Sequence, residues 1–264
     1  AFASLVFQLA QLCDWDELRV HAAAMAQLGL HDKAVFPFSL LHTEDNPAHH
    51  RQRSELYASK TFQTQQLAGI TRPERPPKRL RVGYFSAEFR DHATMYLMAP
   101  LFEQHDRDRF TIHAYSYGRD ASDSMRRRVV AGVDEFHDVH HLTDREIAEL
   151  CRSHEIDIAV DLKGYTQFSR LGIFSYRMAP VQISYLGYPG TTGASFMDYV
   201  IADEVVIPED QRIHYSEQII YLPPSYQVND DARTIAEKVP SRPEAGLPEE
   251  GFVFCCFNNN FKIG

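Results

Sequence analysis

Two loops of this sequence combine residue types that can handle protons, phosphates or sugars. The segment Ser86–Thr94 contains His92, whose neutral imidazole can accept or donate a proton near pH 7. Residues 187–193 hold three glycines, one proline and two threonines, and such a loop lets a sugar or a phosphate approach its N–H and hydroxyl groups. Two structural interpretations stay open: His92 as a capping or surface histidine, and 187–193 as a tight turn.

Other polar residues give weaker indications. Lys262 follows three asparagines after an apolar run, so it would supply a positive charge where a diphosphate could lie. Asp91 could orient the His92 ring or cap a helix. The pairs His49–His50 and His140–His141 have no further ligand at useful spacing, and we interpret both as surface residues rather than as metal ligands.

The loops need a scaffold, and the alternation of apolar strands with helices predicts one. Such alternation is typical of a doubly wound α/β domain, a parallel sheet covered on both faces. In these sheets ligands bind beyond the carboxyl ends of the strands, where both loops fall. The predicted strands span 80–86, 110–117, 156–162, 180–187, 196–203, 217–223 and 251–258, and the predicted helices span 94–105, 122–131, 144–154 and 169–177.

The residues before this domain, 1–66, are predicted to form helices and no strands. Asp14 begins a helix that reaches about Gly29, and Asn46–Pro47 begins another that continues to about Gln66. Proline and basic residues then predict a linker. The predicted divisions are a helical tail over 1–69, a linker over 70–78, an α/β lobe over 79–245 and the start of a second, truncated lobe over 246–264. Because the sequence stops one strand into that second unit, we expect a fragment that is inactive by itself.

Composition excludes several classes of protein. Of 264 residues, 44% are hydrophobic and 24% are charged, which is typical of a folded globular chain. The net charge of −9 argues against a sequence-independent nucleic-acid binder, and no apolar run reaches the roughly 18–20 residues that span a bilayer. We expect a cytoplasmic protein without membrane or nucleic-acid partners, with its four cysteines as buried thiols. No glycine-rich dinucleotide or P-loop motif is present.

Four segments, in order, resemble one family. They are RLRVGYFSAEFRDHATMYLMAPL at 79–101, DLKGYTQFSR at 161–170, RMAPVQISYLGYPGTTGASFMDYVIAD at 177–203 and LPEEGFVFCCFNNNFKI at 247–263. They are similar to the catalytic region of the O-linked N-acetylglucosamine transferases, and more closely to the bacterial members grouped with plant SPINDLY. The helical tail is similar to the end of the tetratricopeptide region that precedes catalysis in that family.

The resemblance implies an inverting, metal-free glycosyltransferase with two Rossmann-like lobes, the GT-B fold. It would transfer a sugar, with N-acetylglucosamine favoured, from a UDP-sugar or GDP-sugar to Ser or Thr hydroxyls of proteins, and it could form oligomers. His92 matches the active-site histidine of the family, and Lys262 matches the catalytic lysine that contacts the donor diphosphate. Leu186, Gly187 and Pro189 match the loop that lines the donor sugar.

Position 259 leaves the donor open. Asn259, another donor-binding position, stands where the animal enzymes carry glutamine. Asparagine there is closer to the SPINDLY-like pattern, and plant SPINDLY uses a fucose donor. A protein O-fucosyltransferase therefore stays an alternative, and so does a non-catalytic scaffold protein built on a degenerate transferase lobe.

Overall fold

A parallel sheet of seven strands forms the centre of the structure, and helices cover both of its faces. The computed structural model describes residues 2–31, 33–63, 66–70 and 77–259. The helices are α1 (Phe2–Gln11), α2 (Trp15–Val20), α3 (Ala22–Ala26), α4 (Pro47–Thr61), α5 (Ala93–Gln104), α6 (Ser124–Gly132) and α7 (Asp144–Ser153). The strands are β1 (Leu80–Ser86), β2 (Phe110–Ser116), β3 (Glu135–Asp138), β4 (Ile158–Asp161), β5 (Val181–Ser184), β6 (Tyr199–Ala202) and β7 (Gln218–Tyr221). Short 3₁₀ helices span Pro37–Leu40, Leu171–Tyr176 and Glu209–His214.

The strand order creates a crevice at the carboxyl edge of the sheet. The order is β3-β2-β1-β4-β5-β6-β7, and all neighbours are parallel. The chain moves outward from β1 in one direction through β2 and β3, and in the other direction from β4 to β7. The reversal between β1 and β4 is the switch point at which open α/β sheets bind ligands. The predicted doubly wound α/β domain is therefore confirmed.

Two apolar layers hold the sheet between its helices. On one face, Phe85 and Tyr115 stack with ring centroids 4.5 Å apart and pack with Ile147 and Cys151 of α7. On the other face, the side chains of α5 and α6 cover β1 and β2, with Phe102 fully buried. Burial of both faces explains why the central strands read as continuous apolar runs in the sequence.

Local capping signals in the sequence are confirmed. The Asp14 carboxylate accepts a hydrogen bond from the Glu17 N–H at 3.2 Å, and the Asn46 side chain caps α4 in the same way. Thr143 and Glu146 form the full capping box of α7. The predicted helix from Asp14 to Gly29 is interrupted at His21, which separates α2 from α3. The second helix ends at Thr61 rather than at Gln66, because Phe62 adopts an extended backbone.

The structure differs from the predicted strands in two places: it contains one strand that the sequence does not predict, and it lacks one that the sequence does predict. β3 was not predicted, since it is a short edge strand whose sequence, EFHD, has no apolar run. The predicted strand at 251–258 is wrong: no other strand of the described chain pairs with it, and Phe252, Phe254 and Phe257 are exposed. An apolar run forms a strand only where a neighbouring strand takes up its backbone hydrogen bonds.

Helix α4 packs directly on the α/β domain. The Tyr57 ring meets Tyr165 edge-on at 5.2 Å between centroids. Buried Arg53 donates to the Leu28 carbonyl at 2.7 Å, which ties α4 to the end of the preceding helices. The helical tail thus contacts the sheet domain through aromatic side chains. Its boundaries and its likeness to a tetratricopeptide array stay predictions, and most of the predicted linker, residues 71–76, lies outside the described residues.

The expectation of four buried thiols is wrong for three of them. Cys151 is fully buried in α7, whereas Cys13, Cys255 and Cys256 are exposed. Cys13 follows the end of α1, and the other two lie in the unpaired segment described above. Among the described residues, the helices are all too short or too polar to cross a bilayer.

Candidate active site

His92 lies at the carboxyl end of β1, outside the core. It is the N-cap residue of α5, and its Nδ1 accepts a hydrogen bond from the Thr94 N–H at 3.2 Å. The ring is half-buried, and Nε2 is the nitrogen that this capping bond leaves for a substrate. Asp91 does not orient the ring in this way, because its carboxylate accepts from the Met125 N–H at 3.1 Å, in the first turn of α6.

A buried ion pair crosses the switch point beside this histidine. Lys163 follows β4 and Glu88 follows β1. The Lys163 Nζ lies 3.2 Å from Glu88 Oε1, and both side chains are almost fully buried. Arg90 contacts the other carboxylate oxygen of Glu88 at 2.6 Å. Neither Glu88 nor Lys163 is among the site residues predicted from the sequence. The signal that could have found them is their position, since each directly follows a strand that borders the switch point.

These charges act on the protonation of His92. Burial lowers the pKa of its imidazole below the usual value, Glu88 raises it, and Lys163 and Arg90 lower it. The net effect is a lowered pKa, so the ring is mostly neutral at pH 7. A neutral imidazole in a crevice can accept a proton from a hydroxyl group.

Replacing Lys163 with methionine is expected to raise the pKa of His92. The lysine ammonium disfavours the imidazolium form, while methionine keeps the length of the side chain without its charge. NMR titration of the His92 ring measures this change. Lys60→Met, which removes an exposed lysine of α4, is the control and should leave the pKa unchanged. A pKa at or below the wild-type value in Lys163→Met would contradict the coupling.

The loop after β4 is built around Asp161. Its carboxylate accepts from the backbone N–H groups of Lys163 at 3.2 Å and of Gly164 at 2.6 Å. Complete burial raises the pKa of Asp161 to about 6 against these stabilising hydrogen bonds. This turn aims Lys163 across the crevice toward Glu88. The Tyr165 hydroxyl then donates to the Thr192 carbonyl at 2.6 Å, which joins this loop to the loop after β5.

The loop after β5 places the three predicted donor residues at the same edge of the sheet. Leu186 has a positive φ of 64° and, with Pro189, borders a cavity of about 230 Å³. Gly187 lies so close to the preceding loop that a Cβ there would stand 1.9 Å from the Leu162 carbonyl oxygen. Gly187 thus lies against the loop that follows β4, whereas Leu186 and Pro189 line a cavity with residues of β6. The contact of these three residues with a donor sugar stays a prediction.

The rest of that loop serves packing rather than an open ligand surface. Thr191 and Thr192 are buried, and their hydroxyls donate to the carboxylate of Glu217, which is also buried. The Thr192 N–H donates to the same carboxylate at 2.8 Å. Gly193 lies against the backbone of α4. The hydroxyls that the sequence offered to a sugar or a phosphate are therefore used inside the protein.

Of the two remaining predicted residues, Asn259 and Lys262, the structure describes only Asn259. Asn259 is exposed, in a segment without regular secondary structure, and Lys262 lies outside the described residues. Their roles as donor contacts stay predictions. The site that the structure assembles consists of His92, Glu88 and Lys163 at the switch point, with the Leu186–Pro189 turn beside them.

A parallel sheet with such groups at its switch point defines a Rossmann-like α/β domain whose ligand crevice lies at the carboxyl edge. Residues 59–238 match the profile of Glycosyl transferase family 41. That match covers more than half of the chain, and the chain therefore belongs to this family. The family resemblance seen in the sequence is confirmed.

Individual relatives agree with this membership. A solved Thermobaculum terrenum O-GlcNAc transferase, a lysine-to-methionine mutant, is 31% identical with a TM-score of 0.65, over 79% of this chain and 38% of that chain. The probable UDP-N-acetylglucosamine–peptide N-acetylglucosaminyltransferase SEC of Arabidopsis thaliana is 37% identical over 70% of this chain and 20% of its own length. The Arabidopsis SPINDLY protein is 31% identical over 72% of this chain and 21% of its own length. The chain thus spans about a fifth of these curated relatives.

Proposed function

We propose that this chain is part of an inverting glycosyltransferase. It would transfer a sugar, with N-acetylglucosamine favoured, from a nucleotide-sugar donor to Ser or Thr hydroxyls of proteins. The observation that carries the proposal is the position of His92 at the switch point of a family 41 domain, beside a buried Glu88–Lys163 pair. The relatives named as UDP-N-acetylglucosamine–peptide N-acetylglucosaminyltransferases support the donor and the acceptor class.

The proposed reaction is a single displacement. The acceptor oxygen attacks the anomeric carbon, the bond from that carbon to the diphosphate oxygen breaks, and the hydroxyl proton leaves the acceptor. His92 Nε2 either accepts this proton or positions the hydroxyl, since Nδ1 is engaged by the Thr94 N–H. The departing diphosphate gains negative charge, which Lys262 would stabilise, so the proposal requires no metal ion for the transfer.

The alternatives differ in what they transfer. An O-fucosyltransferase would use a GDP-fucose donor, and the asparagine at position 259 is the feature that favours it. A scaffold protein on a degenerate lobe would transfer neither sugar. The presence of His92 together with the intact ion pair beside it favours an enzyme over a scaffold.

The test is sugar transfer by the full-length protein, because the chain spans only about a fifth of its curated relatives. The protein is incubated with radiolabelled UDP-N-acetylglucosamine or GDP-fucose and a library of Ser- and Thr-containing peptides. A matched library with alanine at those positions is the control. We expect label from the UDP-sugar in the hydroxyl-containing library alone. Label from GDP-fucose alone would show that the donor is GDP-fucose rather than UDP-N-acetylglucosamine. Label from neither donor would contradict the proposal that the protein is a glycosyltransferase.

A further inference from the structure

Three histidines from separate elements meet at one edge of the sheet, on its α7 face. His113 lies in β2, His137 lies in the edge strand β3, and His154 caps the C-terminus of α7. One ring nitrogen from each residue lies within 4.8 Å of the others. His113 is buried, and the other two rings are half-buried. None of the three belongs to the candidate active site or to the histidine pairs singled out in the sequence.

The distances fit the ligand shell of a transition metal. His113 Nδ1 and His137 Nε2 are 3.2 Å apart. Two nitrogens that bind one zinc ion tetrahedrally, at about 2.0–2.1 Å each, are separated by about 3.3 Å. The His154 ring lies next to this pair, with its centroid 4.5 Å from that of His137, and a side-chain rotation would bring its nitrogen to the ion.

From this arrangement we propose that His113, His137 and His154 form a zinc site, in which the ion links the edge strand β3 to the end of α7. Three imidazoles with water in the fourth position are a common zinc ligand set. The half-buried rings of His137 and His154 give the ion access from solvent. The three residues are separate from the proposed transfer machinery, so the role proposed for the ion is to hold β2, β3 and the end of α7 together.

A neighbouring hydroxyl supports the assignment. His154 Nδ1 lies 2.8 Å from the Tyr115 hydroxyl, so Nε2 is the nitrogen left for the ion. Metal-binding histidines usually donate their second ring N–H to a polar partner, which holds the ring in place. Tyr115 is fully buried between the histidines and the core, and its ring stacks on His137 with centroids 4.7 Å apart.

Calorimetry of the 264-residue chain with Zn²⁺ alone tests the proposal, with Co²⁺ absorbance as a second readout. We expect one Zn²⁺ per chain with a micromolar or tighter dissociation constant, a visible Co²⁺ spectrum, and a rise in Tm on addition of Zn²⁺. His137→Gln should weaken Zn²⁺ binding at least about tenfold and abolish the Tm rise. Because His137 lies on a half-buried edge strand, circular dichroism of this variant should match that of the wild type.

His140→Gln is the matched control, since His140 is an exposed histidine three residues away that contacts only Asp138 among the carboxylates of the described chain. It should leave the affinity unchanged, as should replacement of Cys255 and Cys256 with serine. Tyr115→Phe keeps the stacked ring and should weaken binding about 10- to 100-fold. Wild-type affinity in both His137→Gln and His154→Gln, or wild-type binding no tighter than millimolar, would overturn the proposal.

Discussion

Replacing His92 with asparagine is expected to lower the rate of sugar transfer by the full-length protein by about 10²- to 10⁴-fold, the usual contribution of a positioned acid or base. Asparagine is a good N-cap residue, so it should preserve the start of α5 while removing the titratable ring. The measurement is kcat with the nucleotide-sugar that gives label in the transfer assay. The free energy of unfolding of the variant, measured by thermal denaturation, should stay within about 1 kcal/mol of the wild-type value. This control separates an effect on catalysis from an effect on folding.

The pH dependence gives this prediction a second readout. The pKa of His92 lies below its ordinary value, so the wild-type rate should be flat near pH 7 and fall as acid protonates the ring. In Lys163→Met the pKa rises, and the acid limb should move to higher pH. His140→Asn, a change at an exposed histidine, should alter neither rate nor profile. Full activity in His92→Asn would remove the histidine from the mechanism.

Replacing Gly193 with alanine is expected to destabilise the fold by about 2–4 kcal/mol. The residue has a positive φ of 62°, which costs an alanine about 1–2 kcal/mol. A Cβ at this position would also stand 2.3 Å from the Glu55 N and 2.4 Å from the Ser54 carbonyl carbon, both backbone atoms of α4. Because a helix backbone cannot yield as a side-chain end does, α4 must move away from the β5 loop.

Gly246→Ala is the matched control for the backbone contribution. Gly246 has a similar φ of 69°, but a Cβ added there would meet no atom of the described chain within 4 Å beyond its immediate neighbours in the sequence. Its substitution should therefore cost no more than about 1–2 kcal/mol. Chemical denaturation compares the two variants, and the difference between them measures the contact of α4 with the loop. Equal losses of stability would mean that α4 does not depend on this contact.

Local interactions account for most of what the sequence alone predicted. The caps at Asp14, Asn46 and Thr143 are hydrogen bonds within three residues, so their partners stand beside them in the sequence. The central strands were predicted because burial on both faces demands continuous apolar runs. The positions of His92 and of the Leu186–Pro189 turn followed from the rule that parallel sheets carry their ligand loops at the carboxyl edge.

Non-local contacts decided the rest. Glu88 and Lys163 stand 75 residues apart and meet only because β1 pairs with β4. In the sequence, the threonines after β5 are candidate ligand groups. In the structure they donate hydrogen bonds to Glu217, which directly precedes β7. The His113, His137 and His154 cluster depends on the pairing of β2 with β3 and on where α7 ends. The sequence determines the caps, whose partners are close neighbours in the chain, and the apolar central strands. It does not determine the edges of the sheet, since β3 lacks an apolar run and the apolar run at 251–258 forms no strand. Partners across the sheet depend on strand order, which only the packed structure decides.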